Sequence, residues 1–235
     1  MSNKPTIFLS IPIMDRPEAA FMDSLYQAML SCSGFRFYRM RTEGDSLLER
    51  VRNQDISLFM ESDCEWFVVL DSDLIIHHCT RDDNLFNKLT GHGKEFVGGL
   101  YALRGASPIG QRCASGALDA KPLEYNTGLR EMRWMSTGCW CIHRTGVERT
   151  VAAYPELDYA GDAQLRDHTV HGLFMPMLVP RGDGRMKHLS EDWSCCERFR
   201  AAGGQIWADT SIRLTHIGKA KYELWPVPKK EGVAS

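Results

Sequence analysis

Asp71 and Asp73 stand one residue apart at the end of an apolar run, Trp66-Phe67-Val68-Val69-Leu70, and apolar residues resume at Leu74. A run of that length fits a strand buried in a parallel sheet. Its carboxyl end is where open α/β sheets bind ligands. Two carboxylates so close raise each other's pKa unless a cation intervenes. Hard oxygen ligands of this kind suit Mg2+ or Mn2+, which leave positions open for substrate phosphates. The simpler account is an Asx-rich turn that closes the strand. The buried strand in front of the pair favours the metal.

Other residues could act beside this pair. Glu191 and Asp192 open a helix, where acidic side chains complement the helix dipole and where one carboxylate can serve as a general base. His216 lies late in the chain, just after a strand. Arg52 and Asn53 lie near the middle of a helix; an arginine buried there would pair with Asp71 and favour its ionised form. Gly138 can let backbone approach a ligand or simply make a turn. Trp140, Trp193 and Trp207 have the chemistry of a sugar-stacking platform, although aromatic residues beside apolar neighbours more often fill a core. His77, His78 and Cys79 suggest zinc, but adjacent strand residues point to opposite faces and no partner cluster is nearby.

The elements that must position these residues follow from patterning. Thr6–Ile11 reads as a strand ended by Pro12. Pro17-Glu18 opens a helix to about Ser31, with Phe21, Leu25, Ala28 and Met29 on one face. Phe35–Met40 alternates as a second strand. Asp45 or Ser46 caps a helix from about Leu47 to Met60. After the strand that ends at Asp71, a helix is expected over Asp82–Leu89 and a strand over Phe96–Leu100. This alternation implies a mostly parallel sheet with right-handed crossovers. Leu103–Gly128 is rich in Gly and without period, as functional lids are. Arg130–Trp134 and Cys139–His143 read as strands, Thr145–Ala153 as a helix, and Pro155–Leu189 as irregular. Ser190 caps a helix that Gly203-Gly204 ends. Gln205–Ala208 and Ile212–Thr215 read as short strands, and the tail after Pro226 as frayed.

The chain has 235 residues, enough for a large core, with 43% hydrophobic and 25% charged residues. Its net charge of -2 gives no global case for nucleic-acid binding. Local cationic groups exist: Arg36, Arg39 and Arg41; Arg181, Arg185 and Lys187; Lys219, Lys221, Lys229 and Lys230. The eight cysteines form no C-x-x-C pair, so free and mostly buried thiols are expected rather than a zinc ribbon or a disulfide framework. No apolar stretch reaches the roughly 18 residues of a spanning helix. The N-terminus lacks a long apolar segment after a basic start. A soluble, cytoplasmic protein without stable membrane insertion is expected.

The ordered set of motifs resembles a known class. It runs from Ile7-Phe-Leu-Ser10-Ile-Pro12 through Arg52-Asn53, Asp71-Ser72-Asp73, Gly98-Gly99-Leu-Tyr101 and Thr137-Gly138-Cys139 to Ser190-Glu191-Asp192-Trp193 and His216-Ile-Gly218. This order resembles the GT-A fold nucleotide-sugar glycosyltransferases, particularly small bacterial and phage members of the Anp1-like and family-2-like kinds, over about residues 5–222. The resemblance implies one α/β, Rossmann-like GT-A domain across 1–235, with a nucleotide-binding half at about 5–102 and an acceptor half at about 103–222. It implies transfer of a sugar from a UDP- or GDP-sugar to an acceptor hydroxyl, with Mn2+ or Mg2+ as cofactor, in a bacterial cell or phage-infected host. Asp73 is then a direct metal ligand, Asp71 a contact to ribose or a metal-bound water, and His216 a second protein ligand. Ser10, Pro12, Arg52, Asn53, Ser72 and Gly138 become donor contacts, and Asp192, before Glu191, the general base. The acceptor is a glycan precursor or, as in some phage enzymes of similar appearance, a hydroxymethylated base in DNA. Two rivals stand beside this reading. A nucleotidyltransferase usually carries a Gly-rich phosphate loop after its first strand, where Ile11-Pro-Ile-Met-Asp-Arg-Pro17 has no glycine. A degenerate, non-catalytic sugar-nucleotide-binding module would not need an intact Asp71-Ser72-Asp73.

Overall fold

A computed structural model describes residues 4–104, 113–162, 165–218 and 220–225. Residues 105–112 of the irregular segment, Lys219, Lys229 and Lys230 of the third cationic group, the tail after Pro226, and the side chain of Arg41 lie outside that description.

The first half alternates as its patterning requires: β1 (Thr6–Ile13), α1 (Ala19–Ser31), β2 (Arg36–Glu43), α2 (Leu48–Glu61), β3 (Trp66–Leu70), β4 (Leu74–Ile76), α3 (Leu85–Thr90) and β5 (Phe96–Gly99). Then come β6 (Gly116–Ala117), β7 (Leu129–Trp134), β8 (Cys139–His143), α4 (Arg144–Ala153), and the short strands β9 (Asp158–Ala160), β10 (Thr169–His171), β11 (Met177–Pro180) and β12 (Met186–Leu189). The described chain closes with α5 (Glu191–Ala201), β13 (Ile206–Asp209), β14 (Leu214–Ile217) and β15 (Lys221–Glu223).

The main sheet has eight strands in the order β2-β1-β3-β8-β5-β13-β7-β6. Its strands run mostly one way; β7 and β8 oppose the rest. The architecture is therefore the expected α/β one, with a mostly parallel central sheet and helices on both faces. Strand parity divides the core in two. Ile7, Leu9, Ile11, Trp66, Val68 and Leu70 pack with Phe21 and Leu25 of α1 and Phe86 of α3. Phe8, Phe67 and Val69 pack with Phe59 of α2, Val147 of α4 and Phe199 of α5. Continuing that alternation puts Asp71 on the α2 and α5 face.

Several boundaries differ from the sequence expectation. β1 runs through Pro12 to Ile13. The Ile13 carbonyl accepts from Gly44 on the β2 side, whereas the Thr6 carbonyl accepts from Glu65 on the β3 side. Even-numbered residues thus face β3, whose register with β1 stops at Ser10. Pro12 faces beyond that end, where a missing N–H costs no ladder bond. Ser190 stands at the N-cap of α5, but its side chain makes no cap bond; the hydroxyl donates to Asp192 instead. α3 starts at Leu85 rather than Asp82 because Asn84 caps it, accepting from the Phe86 N–H. The 155–189 stretch read as irregular contains two short ladders, β9–β10 and β11–β12. Strands of three or four residues are too short to show a period. At the far end of α5, Gly203 N–H donates to Arg200 and Gly204 N–H to Phe199, a Schellman closure that needs the φ of 88° at Gly203.

A second sheet, β15-β14-β4, is small but positions chemistry. Its antiparallel register sets His216 opposite Leu74, and Ile217 N–H donates to the Asp73 carbonyl at 2.8 Å.

Candidate active site

Asp71, Ser72 and Asp73 form the turn from β3 into β4. The Asp71 N–H donates to the Gly138 carbonyl at 3.0 Å, and the Asp71 carbonyl accepts from Leu74 N–H. The Ser72 carbonyl accepts from Glu18 N–H at 3.0 Å. Turn and functional cluster are the same residues here. Gly138 sits against Tyr101: a Cβ at that position would lie 2.6 Å from the ring. The Gly138 N–H donates to the Tyr101 hydroxyl at 2.9 Å, and the Tyr101 ring meets His216 edge-on with centroids 5.3 Å apart. Gly138 thus supports Asp71 from beneath, a role visible only once Tyr101 is placed. Burial drives the Tyr101 phenol well above its usual range, so it stays protonated.

Arg52 is the centre of the charge network. Its side chain is 2% exposed, and Nη2 lies 3.3 Å from Asp71 Oδ1 while Nη1 lies 2.6 Å from Glu191 Oε1. Burial alone would lower its pKa, but the Asp71 and Glu191 carboxylates outweigh that and hold the guanidinium charged. On Asp71 the balance tips the other way. Burial raises its pKa and Arg52 only partly pulls it back; Asp73 raises it further. Arg52 therefore eases ionisation of Asp71 without fully offsetting desolvation.

Glu191 is spent on Arg52. Its neighbour Asp192 is held differently: Oδ1 accepts from the Ser190 hydroxyl and, at 2.8 Å, from Trp193 N–H. Burial pushes its carboxyl up, the Ser190 hydroxyl pulls it down, and Glu191 pushes it up again. A carboxylate with a raised pKa is better matched to taking a proton near neutrality.

Asp73 and His216 meet with Oδ2 and Nε2 3.4 Å apart. The His216 Nδ1 lies 2.9 Å from the Ala102 carbonyl, which can only accept, so Nδ1 carries the proton and Nε2 presents its lone pair. Arg104 lies against both acceptors, donating from Nε to His216 Nε2 at 2.9 Å and from Nη2 to Asp73 Oδ2. Asp73 Oδ1 is buried without a hydrogen-bond partner among the described residues. Two facing acceptors, a cation already between them and an unpartnered carboxylate oxygen make a donor set that fits Mg2+ or Mn2+. Asp73 and His216 would be its protein ligands. Among the described residues no group of three or more His, Cys, Asp or Glu gathers for a metal, so the remaining positions fall to solvent or substrate.

The structure thus brings together Asp71, Asp73, His216, Arg52, Glu191 and Gly138, with Asp192 beside Arg52. Two expected donor contacts, Ser10 and Asn53, have partners of their own, and the third, Pro12, lies within the strand. Ser10 is fully buried and donates to Asp55 Oδ2 at 2.5 Å. Pro12 is buried within β1. Asn53 turns from Arg52's partners, and its Oδ1 accepts from Phe174 N–H at 2.8 Å. Consecutive helical residues diverge by about 100°, which separates Arg52 from Asn53. The three tryptophans do not form a platform: Trp140 is core, Trp207 lies under Lys94, and Trp193 stacks on Trp134 at 4.5 Å. His78 is occupied by Asp83 and by the Arg213 N–H, and His77 by Thr215. All eight cysteines are free.

Arg104 escaped sequence reasoning, and Arg144, which follows the Thr137–Ile142 motif, had no role assigned to it. Arg104 gives no local signal, since its meaning comes only from the β4–β14 pairing. Arg144 donates to the carbonyls of Phe59, Met60, Ser62 and Cys64 and lies over the Phe59 ring. It closes the carboxyl end of α2 and so fixes the helix that carries Arg52.

No family model matches the chain, and no curated protein matches it significantly. Solved structures similar to it include two transferases. One is a glycosyltransferase involved in the glycosylation of the major capsid of PBCV-1, 14% identical over 64% of this chain and 67% of that one, with a TM-score of 0.36. The other is CMP:2-keto-3-deoxy-manno-octonic acid synthetase complexed with CTP, 9% identical over 87% and 89% of the two chains, with a TM-score of 0.42. Likenesses this distant carry no argument about activity, which rests on the site itself.

Proposed function

We propose that this chain is a divalent-cation-dependent glycosyltransferase that moves a sugar from a UDP- or GDP-sugar to an acceptor hydroxyl. The observation that carries the reading is the meeting of Asp73 Oδ2 and His216 Nε2 at 3.4 Å, with Asp73 Oδ1 unpartnered, on the strand-end turn that also holds Asp71. Asp73 and His216 hold the cation, which when bound offsets charge on the leaving nucleoside diphosphate. Asp71, tethered by Arg52 and Gly138, contacts the donor. Asp192, with Oδ1 pinned by Ser190 and Trp193, accepts the proton of the acceptor hydroxyl. Arg52 joins the two halves by gripping Asp71 and Glu191.

A glycan precursor is the acceptor that best fits the surface charge. Arg181 and Arg185 both pair with Asp183, and Arg39 is engaged by Tyr26, which leaves these cations less free for phosphates.

The test is a panel of UDP- and GDP-sugars with and without Mn2+, read first by thermal shift and then by release of nucleoside diphosphate in the presence of candidate acceptors. Metal-dependent stabilisation followed by nucleoside diphosphate release is expected. Pyrophosphate release from a nucleoside triphosphate and a sugar phosphate would mean nucleotidyl transfer instead, and binding with no turnover would mean a non-catalytic module.

A further inference from the structure

His216 has one lone pair to give. With its Nδ1 proton directed at the Ala102 carbonyl, only Nε2 can accept, and Arg104 Nε takes that position at 2.9 Å. The same guanidinium donates to Asp73 Oδ2. A metal ion ligated by Nε2 needs the single lone pair that Arg104 is using, so at His216 valence forbids both at once, and at Asp73 Oδ2 guanidinium and ion compete for the same charge.

Arg104 is placed there by packing. A Cβ at Gly218 would lie 2.9 Å from Arg104 Cδ and 3.4 Å from Cγ, so the aliphatic stem rests on the bare backbone of residue 218. Tyr222 stands at the same spot, 3.3 Å from that Cβ position. Yet the Arg104 side chain is 53% exposed, against 22% for Asp73. It can move into water at small desolvation cost, whereas Asp73 and His216 are fixed by strand pairing.

We propose that Arg104 is a built-in competitor for the divalent cation, its guanidinium and the ion taking the same place between Asp73 and His216. The inference rests on the reading of those two residues as the cation's ligands. It makes cation binding an exchange: the ion enters as the guanidinium leaves. Without the ion, Arg104 keeps the facing acceptors satisfied. The affinity for metal is then set by a residue that is not itself a ligand.

The test is equilibrium binding of Mn2+ alone, measured by the electron paramagnetic resonance signal of the free ion. Arg104→Ala is expected to bind Mn2+ roughly tenfold to hundredfold more tightly than the wild type, the scale of charge-assisted hydrogen bonds removed from the ligands. Arg104→Lys keeps the charge but loses the fork, and falls between. Gly218→Ala leaves Arg104 in the chain but pushes its stem away, and tightens binding in the same direction. This variant keeps the test decisive if Arg104→Ala melts early. If these variants bind Mn2+ no better than the wild type while Asp73→Asn abolishes binding, the competition is wrong and the ligand assignment stands. If no variant binds Mn2+ and Asp73→Asn changes nothing, both fall together.

Discussion

The guanidinium of Arg52 stands 2.6 Å from Glu191 Oε1, a contact across 139 positions of sequence that ties the middle of α2 to the first turn of α5. The other side of the same group reaches Asp71. One buried cation therefore sets the spacing between the strand-end carboxylates and the helix that carries Asp192. Arg52→Ala should cost about 2–4 kcal/mol, less than for a fully dry ion pair because both partners keep some hydration. Loss of the cation should raise the Asp71 pKa further, since Arg52 is what pulls it down. The ionised form then disappears at higher pH, and the acid limb of the pH–rate profile moves up. Urea denaturation and a pH series on the variant check the two effects separately.

Removing a charged ligand should matter more than removing a neutral one. Asp73→Asn is expected to abolish Mn2+-dependent donor binding with the fold intact, because the β3 core is untouched. His216→Ala should weaken it less. Thermal shift with donor and Mn2+ reads both, and wild-type metal dependence in Asp73→Asn would overturn the ligand assignment.

Asp192→Asn should lower kcat by roughly 10²–10⁴ with donor affinity nearly unchanged, as for proton transfer felt only in the transition state. Burial raises the Asp192 pKa. The base form is thus lost, and the rate falls, at a pH above the ordinary aspartate range as the solution is acidified. A drop in donor affinity instead would assign Asp192 to donor binding or to structure.

Asp55 offers a stability prediction with a definite sign. Burial pushes its carboxyl from 3.8 to about 6, against the pull of the Ser10 and Thr42 hydroxyls. The folded state therefore holds the proton more tightly than the unfolded state. The stability from this group is full below the unfolded value and is lost as pH rises through about 6. The loss amounts to about 3 kcal/mol, complete on the alkaline side. Asp55→Asn stays neutral and can still share hydrogen bonds with Ser10 and Thr42, whose hydroxyls both donate and accept. It should abolish the decline and stabilise the protein at pH 8. Melting curves across that window decide.

The acceptor can be tested by filter binding on duplex DNA at two salt concentrations. Weak or absent binding at low salt agrees with a glycan acceptor. Micromolar binding with a steep salt slope would transfer the proposal to modified DNA.

The sequence was most legible where a property is local. Trp66–Leu70 is apolar throughout because it is covered on both faces, and the charged pair that follows marks the turn at its end. Arg52 in a helix could equally have faced solvent; its expected pairing with Asp71 is met because the side chain is buried beside the end of β3. Partner choice is another matter. Nothing in Cys139–His143 says that it inserts antiparallel between β3 and β5, since a strand buried on both faces reads alike in either direction. Leu103–Gly128 has no period, so the position of Arg104 could not be read. Ser190 has the right residue type for a cap, but Asp192 is the stronger acceptor and takes the Trp193 N–H that the serine oxygen would have accepted. Ser10 shows the same limit: a small polar residue in a strand reads as a ligand contact until Asp55 is seen beneath it.

The β4–β14 ladder has a consequence for how the protein comes into being. During synthesis Asp73 leaves the ribosome early, and its imidazole partner only near the end of the described chain. A fragment that stops before Leu214 carries the carboxylates, Arg52 and Arg104, but lacks His216 and the strand β14 that docks on β4. Such a product would also lack Gly218, on which the Arg104 stem rests, so neither His216 nor the placed guanidinium would face Asp73. The proposed cation site is thus put together only when β14 docks on β4, late in the making of the chain.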